Sequence, residues 1–226
     1  YYGVAAREYS QVTLEDCDIS GNDWSGVYVR LSAEVLAIDC DLCENGDYGL
    51  YVREQGIACV EDCLVSGNQQ DGLYAIEGSQ LDVSGCALQG NQRNGARAQS
   101  ESTLQVTGCQ VQGNGSTGIY ANEASLTVAD CEISENGYHG VYNAYNLGTV
   151  IQGCDIYNNE YYGIFTEFAS NVLIKNNTIY TNGSYGIYSG EEGSPVISNN
   201  NIYNQSIGIY TYRATTMVRN NFIHSY

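Results

Sequence analysis

Three arginines at a constant spacing are the first residues of this chain that could do chemistry. Arg7, Arg30 and Arg53 lie 23 residues apart, and Glu54 and Glu77 are separated by the same interval. Such a set could form the catalytic site of a polysaccharide lyase, with arginine as the base and the carboxylates holding a metal ion. The alternative, which we favour, is a surface charge ladder in which the glutamates offset the repulsion among the arginines. The catalytic candidates in this set are Arg30, Arg53, Glu54 and Glu77.

A histidine and a tyrosine form a second candidate acid–base pair. His139 lies three positions before Tyr142, and the only other histidine, His224, lies near the end of the chain. Imidazole and phenol groups can exchange protons with a substrate when both lie within hydrogen-bond reach of it. The alternative is a surface histidine packed among tyrosines, because His139 belongs to an aromatic cluster. The cluster consists of Tyr138, His139, Tyr161, Tyr162 and Tyr185.

Acidic residues flank the cysteines in the first part of the chain and recur with the same period. Like charges stacked on neighbouring strands repel each other. Either solvent and salt screen them, or a hard cation such as Ca²⁺ bridges them through oxygen ligands. The sequence contains no compact calcium-loop motif, so Ca²⁺ is the only cofactor suggested and has no defined site. The candidate metal ligands are Asp16, Asp18, Asp39, Asp41 and Asp62, and Glu61, Asp130 and Glu132 continue the pattern.

An aromatic stripe could bind a ligand by stacking. Its residues recur every 22 or 23 positions, each two positions after a glycine, and Arg97 interrupts the series. Outward aromatic side chains in a row can stack on sugar rings or fill a protein interface. Alternatively, the rings stack on one another and stabilise a sheet. The binding candidates are Tyr28, Tyr51, Tyr74, Tyr120, Tyr142, Phe165, Tyr188 and Tyr210.

All of these sets share one period, which identifies the elements that position them. An end-to-end period of 22–23 residues predicts a solenoid in which each repeat contacts its neighbours. Short segments such as Leu81-Asp82-Val83 alternate apolar and polar residues, which is typical of β-strands. Because parallel crossovers are right-handed, we predict an all-β, right-handed parallel β-helix of about ten turns (rungs) with three short strands each. The period is marked by Gly3, Gly26, Gly49, Gly72, Gly95, Gly118, Gly140, Gly163, Gly186 and Gly208.

One column of the repeat is occupied by cysteine. An inward cysteine is a small apolar packing group, so we expect a reduced stack, with disulfides or a soft-metal column as the alternatives. Cys43 and Cys59 lie outside the column, and Cys43 is the better candidate for an exposed thiol. The column comprises Cys17, Cys40, Cys63, Cys86, Cys109, Cys131 and Cys154, and it continues as Asn177, Asn200 and Asn221.

A second inward column is occupied by asparagine. Its amides can bond to the backbone of a corner and to the amide of the next rung. Four asparagines of the chain match glycosylation sequons. Asn114 and Asn182 belong to the inward column, which leaves Asn176 and Asn204 as the glycosylation candidates. The column comprises Asn22, Asn45, Asn68, Asn91, Asn114, Asn136, Asn159 and Asn182, followed by Gln205.

The combined frame, Cys/Asn-x-Ile-x-x-Asn-x-x-x-Gly-Ile-Tyr, is clearest in residues 177–188 and 200–210. It resembles the parallel β-helix repeat of the pectate-lyase-like, carbohydrate-binding and sugar-hydrolysis superfamily, and the resemblance covers the whole chain. It implies the fold but selects no function, because that group includes lyases, hydrolases, epimerases, adhesins and structural fibres. We find no motif that resembles the active sites of alginate epimerases, pectate lyases or polygalacturonases.

The charge of the chain restricts its partners. The formal net charge is −18, with eight Lys and Arg residues. This balance argues against nucleic acid and bare anionic membranes, and against polyanionic sugars unless cations bridge the charges. Neutral glycans and protein partners remain compatible. No apolar run is long enough to span a membrane.

Residues 1–226 are expected to form a single β-helix without a cap at either end. Tyr226 falls at the asparagine-column position and Tyr1 two positions later, so a second copy stacked on the end would almost continue the coil. We therefore expect either an excerpt of a longer solenoid or copies that stack head to tail. The leading hypothesis is an extracellular or cell-surface structural β-helix, a filament subunit or the shaft of a larger protein, whose stripe contacts other copies or glycans. The alternatives are a carbohydrate-active lyase, hydrolase or epimerase and a non-catalytic glycan-binding module; catalysis is left open, although we favour its absence.

Overall fold

The computed structural model describes residues 1–224, except for the side chain of Leu147. The expectation about Tyr226 lies outside the described residues. Over residues 1–224 the chain coils into three parallel sheets that run along the molecule, and no helix long and apolar enough to cross a membrane occurs there. Each strand pairs with its equivalent one turn later, as in Val27 with Leu50. The predicted all-β solenoid of about ten rungs with three strands each is confirmed.

The first sheet contains the strand that follows the periodic glycine of each rung. Its strands are β1 (Val4–Arg7), β3 (Val27–Arg30), β5 (Leu50–Val52), β8 (Leu73–Ala75), β11 (Ala96–Gln99), β14 (Ile119–Asn122), β17 (Val141–Ala144), β20 (Ile164–Glu167), β23 (Tyr185–Gly190) and β26 (Ile207–Tyr212). The second sheet follows it in each rung. Its strands are β2 (Gln11–Glu15), β4 (Glu34–Ile38), β6 (Ile57–Glu61), β9 (Gln80–Ser84), β12 (Thr103–Thr107), β15 (Ser125–Ala129), β18 (Leu147–Gln152), β21 (Ser170–Lys175), β24 (Val196–Ser198) and β27 (Met217–Arg219).

The third sheet completes each rung. In the first two rungs it is reduced to single bridges, Asp18 with Asp41 and Asp41 with Leu64. Its strands are β7 (Leu64–Ser66), β10 (Ala87–Gln89), β13 (Gln110–Gln112), β16 (Glu132–Ser134), β19 (Asp155–Tyr157), β22 (Thr178–Tyr180), β25 (Asn201–Tyr203) and β28 (Phe222–His224).

At the corner between the second and third sheets, a residue with a left-handed backbone conformation changes the direction of the chain. Asp16, Asp39 and Asp62 have φ values of 51°, 51° and 52°, and glycine, asparagine or, at one position, Asp130 holds the same corner in later rungs. Asp and Asn visit this region more readily than other side-chain-bearing residues, because their short polar groups bond locally. The corner geometry therefore accounts for three of the five candidate metal ligands.

The periodic glycine is required by the rung above it. A Cβ on Gly72 would lie 2.6 Å from the carbonyl oxygen of Gly95 and 2.8 Å from Nδ2 of Asn91. Both atoms are fixed by hydrogen bonds, so no side chain fits. The glycine period is thus a consequence of the asparagine column that packs against it.

The asparagine column forms a buried hydrogen-bonded ladder. Asn68 donates through Nδ2 to Oδ1 of Asn91 (2.9 Å) and to the carbonyl of Leu42 (2.9 Å), and its backbone N–H reaches the same Oδ1 (3.2 Å). The pattern repeats along the column and ends where the backbone N–H of Asn182 donates to Gln205. Each amide therefore bonds to the backbone of a neighbouring turn and also links the asparagines of two successive rungs.

The cysteine column lies inside the coil, and all nine cysteines are free thiols. The Cys63 thiol accepts the backbone N–H of Cys40 (3.3 Å). A hydrogen bond to Cys109, together with burial, raises the pKa of Cys86 to about 12. Such a thiol is protonated and packs as an apolar group. Cys43 and Cys59 lie outside the column and are half-buried.

Candidate functional site

The outer face of the first sheet carries the predicted aromatic stripe as a set of stacked rings. The ring centroids of Tyr120 and Tyr142 lie 4.5 Å apart and the two rings are nearly parallel (1°), and Phe165 continues the stack at 4.9 Å from Tyr142. The rings are more covered than an outward position suggests, since Tyr28 and Tyr74 are only 5% and 7% exposed. Cross-strand stacking, the alternative interpretation of the stripe, is therefore present in the structure.

A second column of side chains, the residue before each periodic glycine, covers the stripe. Tyr48 packs against Tyr51 and Tyr74 at 5.0 and 5.3 Å, and Tyr162 stacks on Tyr188 at 5.5 Å. The two columns, together with Trp24, Tyr138 and Tyr161, whose rings contact them, form what we call the aromatic face. Its first block contains Tyr2, Trp24, Tyr28, Tyr48, Tyr51 and Tyr74, and its second block contains Tyr120, Tyr138, His139, Tyr142, Tyr161, Tyr162, Phe165, Tyr185, Tyr188 and Tyr210.

Between the two blocks lies a polar group built around a buried carboxylate. Asp71 is 0% exposed. Its Oδ1 accepts the backbone N–H (2.9 Å) and the Nδ2–H (2.6 Å) of Asn94. Its Oδ2 lies 3.4 Å from Nη1 of Arg97. A carboxylate buried away from water must be stabilised by hydrogen-bond donors or a cation. Here these partners are Asn94 and Arg97, both on the next rung.

Arg97, which interrupts the stripe, connects the two blocks. Its guanidinium carbon lies 4.7 Å from the ring centroid of Tyr74 and 5.4 Å from that of Tyr120. Nη2 donates to Oε1 of Gln99 (2.5 Å), which also accepts the hydroxyl of Tyr74 (3.0 Å). The planar cation thus substitutes for a ring in the stack, as arginine does in cation–π contacts.

Beside Arg97 the aromatic face opens into a cleft of about 240 Å³, which we call the central cleft. The cleft exists because the residues before two consecutive periodic glycines are Asn94 and Thr117, which are too small to cover the stripe. Sequence reasoning missed Asp71, Asn94 and Thr117; the available signal was their polar character in a column otherwise rich in aromatics. The cleft is lined by Arg93, Asn94, Arg97, Ser116, Thr117, Tyr120, Tyr138 and Tyr142.

The structure brings His139 and Tyr142 together within the second block, with ring centroids 6.1 Å apart. His139 is 2% exposed, and burial lowers its pKa to about 3. Its Nδ1 accepts the backbone N–H of Tyr162 (3.4 Å), and burial raises the pKa of Tyr142. At neutral pH both groups are therefore uncharged, and the imidazole packs among the rings of the second block.

The arginines and glutamates of the first rungs also meet, at the edge of the first sheet. Arg53 lies 3.2 Å from Glu54 and 3.1 Å from Glu77, and Arg30 lies 4.0 Å from Glu54. Glu54 and Glu77 line a surface depression of about 440 Å³, and Glu8 also contributes to its lining. The charges are partnered with each other, which is the arrangement of a charge ladder.

The candidate metal ligands and the two glycosylation candidates lie on the surface. Within residues 1–224, no three histidine, cysteine or acidic side chains converge closely enough to hold a metal ion. Asn176 and Asn204 are exposed, whereas Asn114 and Asn182 are buried in the ladder. The two glycosylation candidates are thus accessible in the folded chain.

The sequence matches the family described as right handed beta helix region over residues 1–103 and 75–223. A search of curated proteins finds no match. The two overlapping matches span nearly all of the chain.

Several solved structures share the architecture. The periplasmic alginate epimerase AlgG superposes with a TM-score of 0.80 at 14% identity, over 96% of this chain and 61% of that protein. The A-module of the mannuronan C-5 epimerase AlgE4 from Azotobacter vinelandii gives 0.79 at 17% identity, over 100% and 74%. Tailspike protein 2 from Escherichia coli O157:H7 bacteriophage CAB120 gives 0.68 at 10% identity, over 98% and 38%. Identities this low show a common fold alone.

Proposed function

Because the chain belongs to the right-handed beta helix family, we propose that it binds a glycan laid along the aromatic face of its first sheet. The observation that supports this most directly is the central cleft, a polar opening between two blocks of stacked rings. Sites for sugars combine aromatic faces with a few fixed polar groups, and the cleft offers both. The rigid ladder beneath holds these groups in place before any ligand arrives.

The named activities of the structural neighbours are compatible with this proposal. Two neighbours are named as epimerases of alginate and mannuronan, and a third is a phage tailspike. We infer a carbohydrate partner for this chain from its own aromatic face, together with the fold that it shares with these proteins. The candidate acid–base groups support binding over catalysis, because His139 is buried and neutral while the arginines and glutamates are paired with each other.

A panel of soluble neutral and acidic polysaccharides, titrated by calorimetry, tests the proposal. Tyr142→Ala removes a ring that lines the cleft and should weaken binding about three- to tenfold, because a stacking contact contributes about 0.5–1.5 kcal/mol. Tyr180→Ala is the matched control, since Tyr180 stacks between Tyr157 and Tyr203 on the third sheet. Absence of binding across the panel, or equal losses in both variants, would refute the proposal.

A structural role outside the cell, as a shaft or a filament subunit, is the second candidate. It is favoured by the asparagine ladder, which runs from Asn22 to Gln205 and makes each rung a template for the next. Electron microscopy and sedimentation of the purified chain over a wide concentration range would test the filament form. Dispersed monomers at every concentration would exclude it and leave the glycan-binding proposal untouched.

A further inference from the structure

We propose that the central cleft is a subsite for an uncharged, hydroxyl-rich sugar ring, and that Asp71 sets this preference by neutralising Arg97. The inference rests on the proposed glycan-binding function and names the class of sugar. It differs from the expectation raised by the cation alone, since an exposed guanidinium on an aromatic face would select a carboxylate, such as that of a uronic acid.

Both terminal nitrogens of the Arg97 guanidinium already have a polar partner, whereas its buried Nε has none. Nη1 faces Oδ2 of Asp71 at 3.4 Å and Nη2 donates to Gln99 at 2.5 Å. The rings of Tyr74 and Tyr120 hold the guanidinium in place. A bidentate contact to an incoming carboxylate would compete with these partners, and the Asp71 carboxylate already offsets the charge of Arg97, so the arginine presents little free charge to a ligand.

The carboxylate of Asp71 is fixed as firmly as its partner. It is 0% exposed, and both donors of Asn94 reach its Oδ1. An anion entering the cleft would therefore meet the Asp71 carboxylate directly behind the cation. The net charge of −18 on the whole chain adds a repulsive field toward any polyanion.

The other groups of the cleft suit hydroxyl partners. Ser116 and Thr117 supply hydroxyls, and burial raises the pKa of both Tyr120 and Tyr142, so their phenols are protonated near neutral pH. Such groups both donate and accept, as sugar hydroxyls do. Arg93 lies at the exposed rim, where it donates to Gln70 and where salt screens its charge.

The size of the cleft fits a single ring. Its volume of about 240 Å³ lies below the roughly 300 Å³ at which pockets begin to hold drug-sized ligands. The neighbouring tyrosines on either side would contact the adjoining sugars of a chain. The subsite is thus one position within a longer glycan contact.

The test compares two oligosaccharides of the same length and linkage, one neutral and one of the corresponding uronic acid, at about 0.15 M salt. The wild-type chain should bind the neutral form at least about tenfold more tightly. Asp71→Asn, which frees the charge of Arg97, should raise the affinity for the uronic acid about tenfold and change that for the neutral form less than about threefold. Asp155→Asn is the matched control, because Asp155 lies exposed on the third sheet and its loss changes net charge equally.

A second variant keeps the test decisive if Asp71→Asn does not fold. The double variant Asp71→Asn/Arg97→Gln removes both charges of the pair and should retain the wild-type preference. If the wild-type chain binds the uronic acid as tightly as the neutral sugar, or if Asp155→Asn raises uronic acid affinity as much as Asp71→Asn, the subsite assignment is overturned while glycan binding stands. If neither sugar nor any glycan of the panel binds, the proposed function falls and the subsite with it.

Discussion

The Nδ1 atom of His139 accepts the backbone N–H of Tyr162, which belongs to the next rung, at 3.4 Å. This bond fixes the tautomer with the proton on Nε2, and the rings of Tyr138, Tyr162 and Phe165 enclose the imidazole. Protonation of Nδ1 would break the bond and place a charge beneath the aromatic face. The position of His139 therefore makes the stability of this face depend on pH.

Stability should fall as the pH is lowered from 6.5. The pKa of His139 is about 3 in the folded chain against an ordinary value of 6.5, so in this window the unfolded chain binds the proton more strongly. The free energy of unfolding then decreases with falling pH by up to about 1.4 kcal/mol per pH unit. Urea titrations between about pH 5 and 6.5, above the range of ordinary carboxylates, measure the slope.

His139→Phe is the control for this prediction, because phenylalanine keeps the ring stack and does not titrate. Its stability should be nearly flat over the same window. An equal slope in the two proteins would show that other groups cause the pH dependence.

Replacing one member of the asparagine ladder should destabilise the coil strongly. In Asn91→Ala, the side chain loses its bonds to Asn114 (3.0 Å) and to the carbonyl of Val65 (3.1 Å), and Asn68 loses its acceptor. Each buried polar group left without a partner costs about 1–3 kcal/mol, so we expect a loss of at least about 3 kcal/mol. Chemical denaturation followed by circular dichroism measures it.

The matched control is Gln92→Ala, since Gln92 is the next residue and is exposed. It should change the free energy of unfolding by less than about 0.5 kcal/mol. Similar effects at positions 91 and 92 would mean that the ladder contributes little beyond ordinary packing.

Adding a methyl group to a periodic glycine should lower the free energy of unfolding more than adding one to a corner glycine. In Gly72→Ala, the new Cβ meets fixed atoms at 2.6 and 2.8 Å, whereas a Cβ on Gly90 meets nothing within 4 Å. Gly90→Ala carries only the backbone strain of φ 59°, about 1–2 kcal/mol. Gly72→Ala should exceed this by at least about 1–3 kcal/mol of overpacking, measured as the difference in unfolding free energy. The reverse order would contradict the packing of the glycine column against the ladder.

The thiols should react in two classes. Cys17, Cys43 and Cys59 are half-buried, whereas the other six are buried. Burial also raises the pKa of Cys59, which slows its reaction near neutral pH and makes the rate increase with pH. Maleimide labelling followed by mass spectrometry should mark at most these three cysteines in the native chain and all nine in denaturant. Rapid native labelling of Cys86 or Cys109 would contradict the closed cysteine column.

The sequence by itself determined the coil and its phase. A fixed period and short alternating segments leave few architectures, and the columns assign each residue a position within a rung, as the ladder from Asn22 to Asn182 confirms. Alternation also predicted which side chains leave the core. These features follow from local geometry, because a strand can direct a side chain only inward or outward.

Only the tertiary structure decided how the outward side chains meet. Tyr28 and Tyr74 lie on the outer face yet are nearly covered, and Asp71 is fully buried there. Such burial depends on the size of side chains in a second column and on neighbouring rungs, so no single strand encodes it. The pairing of Asp71 with Arg97 joins residues 26 positions apart on two rungs, and it places a carboxylate behind the guanidinium that lines the central cleft. The physical reason is that the effect of a charge depends on its partner and its solvent, which only the assembled coil supplies.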